Sequence, residues 1–160
     1  MFRVGINAHL LSNAAGYRRA GIHHYIAEVV RHLPHERLAY TVFTSDPPPF
    51  LEELPAIKVV RSGWQTERPQ ARILWEQGVW PFTAVRERVD LLHSMAFVTP
   101  FLHLRPTVVT VYDLSFLHHP ERFPKAQQVY LATQTRRSCN WARRVITIAE
   151  SGREDVHKLL

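Results

Sequence analysis

Three stretches of the chain carry side chains able to do chemistry. His93 and Ser94 adjoin, offering an imidazole and a hydroxyl to a polyol or a phosphate. Tyr112 and Asp113 are followed by Leu114 and Ser115, and a carboxylate there can bond sugar hydroxyls or stabilise charge. Residues 7–22 form a loop of small residues containing Gly16 and Gly21 and running into a helical pattern. Free N–H groups at such a helix start attract anions, and glycine lets backbone approach a phosphate closely. Two readings of this loop stand side by side, a diphosphate site and a turn punctuated by glycine. It fits neither Gly-x-Gly-x-x-Gly nor Gly-x-x-x-x-Gly-Lys-Ser/Thr, which disfavours a dinucleotide enzyme or a P-loop NTPase. The same duality holds for Asp113, which can instead cap the next turn, and for His93, which can be a satisfied half-buried side chain.

Other chemistry-bearing residues point to less. The ten histidines include the adjacent pairs His23-His24 and His118-His119, whose side chains diverge on a helix, unlike the i, i+4 spacing of a zinc pair. No metal site is expected. Cys139 is the single cysteine, so internal disulfides are excluded, and neighbouring arginines leave its reactivity open. The tryptophans at 64, 75, 80 and 141 read as packing residues.

These residues must be positioned by elements, and the chain alternates short β-branched runs with helical patterns throughout. Strands are predicted at residues 2–7, 40–44, 57–60, 90–94, 107–112 and 145–148. Ile22, Tyr25, Ile26, Val29, Val30 and Leu33 recur at helical spacing between Gly21 and Pro34, giving a helix with a start and a stop. A second helical stretch over 71–77, extending toward Val85, meets Trp80-Pro81, where a kink or two short helices are expected. A long helix is predicted after Pro124, and Ser151 followed by Glu154 predicts a capping box for a last helix. That helix has barely begun at Leu160, as expected of a domain belonging to a longer chain. Alternation of this kind implies an α/β, Rossmann-like parallel sheet of about six strands with helices on both faces. Ligands of such sheets bind beyond the carboxyl ends of the strands, where the three chemical stretches fall.

At 160 residues, 46% of them apolar and 21% charged, one soluble domain is expected. No apolar run approaches the ~18 residues that span a bilayer, and no signal-peptide core precedes residue 30, so a cytoplasmic location is the default. The 20 Lys and Arg against 14 Asp and Glu give a net charge of +6. Most of the excess is arginine in scattered pairs, Arg18-Arg19, Arg136-Arg137 and Arg143-Arg144, suited to a small phosphorylated ligand or an anionic membrane surface. No predicted strand interleaves aromatic and basic residues, which argues against single-strand binding, and no nucleic-acid partner is expected. A stand-alone Rossmann-like module that binds an anionic ligand or nucleic acid without catalysis remains the alternative on residues alone.

Several segments taken in order resemble a known family: residues 1–8, 20–25, Leu74-Trp75-Glu76-Gln77, 90–94, 108–116 with His119-Pro120-Glu121, and 145–151. Together they resemble the N-terminal half of group 1, family 4 type retaining glycosyltransferases. The resemblance implies one half of a GT-B architecture, with residues 1–160 as the acceptor-side domain and a C-terminal domain holding a UDP-, GDP- or ADP-sugar. It also implies a hexosyl group moved to a saccharide or lipid acceptor without metal, in polysaccharide or glycolipid synthesis. By the same resemblance Gly21 matches the glycine beside the donor diphosphate, with Ala20 where a second glycine is usual. Tyr112 stands where relatives carry the histidine of a His-Asp pair, implying polar positioning rather than proton transfer, and Asp113 keeps the acidic partner. His93, Ser94, Ser115 and Glu150 match positions around the cleft. The family's paired-glutamate motif and its diphosphate-neutralising basic residues belong to the C-terminal domain, so residues 1–160 alone are expected to be inactive.

Overall fold

The computed structural model describes residues 1–11, 21–66, 68–102 and 104–160. Six strands are present: β1 (Phe2–Asn7), β2 (Leu38–Thr44), β3 (Ile57–Arg61), β4 (Leu91–Ser94), β5 (Thr107–Val111) and β6 (Arg144–Thr147). Every pairing is parallel, and the order across the sheet is β3-β2-β1-β4-β5-β6. Strand order therefore reverses between β1 and β4, with Ile6 beside His93 and Asn7 beside Ser94. A crevice opens beyond the carboxyl ends of these two strands because the chain leaves them in opposite directions.

Helix α1 (Ile22–Arg31) buries Ile26, Ala27 and Val30 against Ile6, Val42 and Tyr40. Its N-cap, Gly21, has φ +32°, a left-handed value that side chains strain to adopt. On the other face, α2 (Pro69–Leu74) continues through a π turn (Trp75–Val79) into α3 (Trp80–Arg86). The expected kink thus takes the form of a π turn. Pro81 lacks an N–H and would press on a carbonyl four residues back, and the widened turn moves that carbonyl aside. Trp75 and Trp80 stack at 6.0 Å and pack with Phe43, Ala84, Val89 and Leu92. Of the four tryptophans these two are core residues, whereas Trp64 and Trp141 are exposed.

The far side is built by α4 (Ser115–His118), α5 (Lys125–Trp141) and α6 (Glu150–Leu159), with Val109, Val111, Leu114 and Phe116 buried beneath them. The predicted capping box is corrected here. Helix α6 starts at Glu150 with Ala149 as N-cap and no side-chain cap bond, which places Ser151 inside the first turn. Extended backbone at Ala149 ends the loop from β6 two residues earlier than the motif required. Cys139 is half-buried, and burial pushes its thiol up to about 11, so it carries little nucleophilic thiolate. Among the described residues no helix is long and apolar enough to cross a membrane.

Gly5 in β1 shows how tightly the layers meet. A Cβ there would lie 2.8 Å from Val89 Cγ1 and 3.1 Å from the Phe43 ring. Gly5→Ala is expected to lower stability by about 1–3 kcal/mol, the usual range for overpacking. Urea unfolding checks this, and Val89→Ala in the same chain should recover part of the loss because the two sites couple through one contact.

Candidate functional site

The crevice floor begins with Asn7, the last residue of β1. Its Oδ1 accepts the His9 backbone N–H at 3.2 Å, which fixes the amide so that Nδ2 donates to Glu76 Oε1 at 2.9 Å. Arg72, one helical turn before Glu76, brings its Nε to 4.0 Å from the same oxygen. Burial raises the Glu76 pKa above the ordinary carboxyl value, while Arg72 and the Asn7 bond pull the other way. The π turn makes this placement, since it carries Trp75 under the His9 ring at 3.9 Å and Glu76 to Asn7. Gln77 follows, accepting the Phe101 N–H at 2.7 Å and donating to the Thr99 carbonyl at 3.3 Å.

His9 is 6% exposed, and burial, aided by Arg72, holds its pKa down to about 3. Thr66 Oγ1 lies 2.8 Å from Ser45 Oγ and 2.6 Å from His9 Nδ1, linking the three side chains. His9 Nε2 is buried with no partner among the described residues.

His93 turns inward, its Nε2 2.9 Å from Thr110 Oγ1, and burial holds its pKa down to about 4. It is a neutral imidazole at pH 7. Ser94 is buried with its hydroxyl unpartnered. Tyr112 is 7% exposed, and its hydroxyl donates to the Met95 carbonyl at 2.6 Å. Its ring lies edge-on to Tyr25 of α1 and to Phe97. Phe97 has φ +55° and the Val98 N–H reaches back to the Ala96 carbonyl at 2.6 Å, a tight γ-turn that is strained for a bulky residue. Tyr112 thus ties down the strained segment that leaves β4, and burial raises its pKa further.

Asp113 is exposed at the end of β5 and accepts the Ser115 N–H at 2.7 Å, so these two predicted residues share one turn. Glu150 opens α6 and pairs with Arg153 at 2.6 Å on the surface. The start of α6 packs close to Tyr112, since a Cβ on Gly152 would sit 3.7 Å from the Tyr112 carbonyl. Gly21 stands at the α1 N-terminus, whose first turn carries no acidic residue to repel an anion. Gly16 lies outside the described residues.

The sequence profile of Glycosyltransferase Family 4 matches residues 19–160. The chain belongs to this family. Among curated proteins none matches the chain. Membership agrees with the observed six-stranded parallel sheet, which corresponds to one half of a GT-B fold. Reading the residues singled out His93, Ser94, Tyr112 and Asp113 but gave no role to Asn7, His9 or Glu76. The available signal was polar residues directly after β1 together with a glutamate beside Trp75 and ahead of a helix-breaking proline.

The low pKa of His93 has a signed consequence for stability. Between pH 6.5 and about 4 the unfolded chain takes up a proton that the folded chain excludes, so stability falls as pH falls through that window. His93→Gln should remove on the order of 2 kcal/mol of this loss between pH 7 and 4.5, read from urea unfolding of both proteins at the two pH values.

Proposed function

We propose that this family member is the acceptor-side domain of a retaining hexosyltransferase that uses a nucleotide sugar and needs no divalent metal. The carrying observation is the strand-order switch between β1 and β4, where Asn7, Glu76 and the neutral His9 stand at the strand ends and Gly21 caps the start of α1. A polar crevice with few fixed charges suits a hydroxyl-rich acceptor. The α1 N-terminus, free of acidic side chains, suits the diphosphate of a UDP-, GDP- or ADP-sugar presented by a facing C-terminal domain. Asp113, with one oxygen held by Ser115 N–H, supports a role in stabilising charge on the transferred sugar.

In this reading the acceptor is a saccharide or a lipid-linked group, and the enzyme works in the cytoplasm beside an anionic membrane. Exposed Phe101, Leu102, Leu104 and Trp141 near Arg105, Arg137 and Arg143 support that placement. Residues 1–160 alone bind acceptor and do not turn over.

The test is incubation of the complete gene product with UDP-, GDP- and ADP-hexoses in EDTA, following nucleotide release and the anomeric configuration of any product. One nucleotide class consumed in EDTA, with configuration retained, is the expected result. Consumption of none, inversion, or activity restored only by a divalent ion would overturn the corresponding part of the proposal.

A further inference from the structure

Glu76 combines four properties that packing alone does not require. It sits on a π turn, a local distortion frequent at functional sites. Its side chain retains 15% of its surface, and that of Arg72 retains 29%. One carboxyl oxygen is held by Asn7, whose own amide is fixed by the His9 N–H. The described contacts of Asn7 and Arg72 both engage Oε1 and leave Oε2 aside. A carboxyl held out of water at the switch in strand order is therefore braced through Oε1.

We propose that Glu76 Oε2 and the Arg72 guanidinium form the subsite that holds a hydroxyl pair of the acceptor, so that the acceptor at this point is a saccharide. The inference rests on the glycosyltransfer reading above and names the acceptor chemistry that it left open. A hydroxyl donates to the carboxyl oxygen while its neighbour accepts from the guanidinium, a match to the vicinal hydroxyls of a sugar ring. A phosphoryl group is disfavoured because Glu76 would repel it at the distance where Arg72 attracts it. A simple alkyl alcohol is disfavoured because it leaves one of the two polar groups desolvated and unpaired. Sites built to bond a hydroxyl reject analogues lacking it far more strongly than apolar pockets reject a missing methylene.

Burial makes the subsite sensitive to substitution, since an isolated polar group there has no water to fall back on. Glu76→Gln keeps an oxygen for Asn7 and removes the acceptor oxygen offered to the substrate. Arg72→Gln touches the more exposed partner and guards against a folding failure of the first variant. Both are checked by circular dichroism and thermal melting before kinetics.

The experiment uses the complete gene product with its nucleotide sugar and a panel of methyl hexosides, each hydroxyl replaced by hydrogen in turn. Two rates are followed, transfer to the hexoside and the slower hydrolysis of the donor by water. For the unaltered protein one pair of adjacent deoxy analogues should lose transfer by about a hundredfold or more. In Glu76→Gln and Arg72→Gln the ratio of transfer to hydrolysis should fall at least about tenfold, and each variant should be nearly indifferent to removal of its own hydroxyl. A structural role would lower both rates together and leave the deoxy penalty in place, which would overturn the assignment. Donor hydrolysis with transfer to no hexoside would overturn the saccharide acceptor. Absence of both hydrolysis and transfer would instead bring down the glycosyltransfer reading itself, and the subsite with it.

Discussion

The Asn7–Glu76 hydrogen bond joins residues 69 positions apart and is the interaction around which the crevice is organised. Taking a carboxyl out of water costs several kcal/mol unless its oxygens find partners, so this contact demands a fixed geometry from both sides. On one side β1 must end with Asn7 turned toward the α2–α3 face, in phase with Gly5, and the parallel register with β2 and β4 enforces that. On the other side the helix must present Trp75, Glu76 and Gln77 inward in succession. The π turn ahead of Pro81 shifts the phase of the helix at these residues.

Three neighbouring features follow from that placement. Trp75 closes the underside of His9, which keeps the imidazole neutral and anchors it to Thr66 and Ser45. Gln77 fixes the backbone at Thr99 and Phe101, and Arg137 from α5 bonds the Pro100 carbonyl at 2.9 Å, so the long connection from β4 to β5 is held at its middle. Tyr112 holds the beginning of the same connection at Met95 and bears on the strained Phe97. Strain of order 1–3 kcal/mol at one residue persists only where surrounding contacts over-determine it, and the rings of Tyr112 and Phe116 against Phe97 provide that here.

Much of this frame was legible in the sequence because β-branched runs and helical spacing report local burial directly. All six strands fall where the pattern places them, and the break near Pro81 follows from the chemistry of proline. The polar centre was harder to read. Asn7 and Glu76 meet only through tertiary structure, and the π turn shifts side-chain phase in a way that no regular period describes. Ser151 and Glu154 failed as a capping box because the sheet delivers the chain to α6 already extended at Ala149, so geometry upstream set the first helical residue. Tyr112 and His93 stood out by type, yet their hydroxyl and imidazole are turned onto Met95 and Thr110, since residues ending central strands have more buried partners than open ones.

The two edges of the sheet differ in which of their polar groups are satisfied. At the amino edge Asp90 accepts the Arg3 N–H, Arg3 reaches the Glu87 carbonyl, Lys58 pairs with Glu87, and Arg105 bonds the Val89 carbonyl. At the carboxyl edge Thr44, Ser94 and His9 Nε2 are buried without partners at the ends of three adjacent strands. Thr107 shows that the amino edge is not perfectly closed either. Each such group costs about 1–3 kcal/mol, which a fold under no other demand would relieve by an apolar substitution. Thr44, His9 and Ser94 thus leave buried polar atoms at the ends of neighbouring strands, while hydrogen bonds and the Lys58–Glu87 ion pair engage the opposite edge.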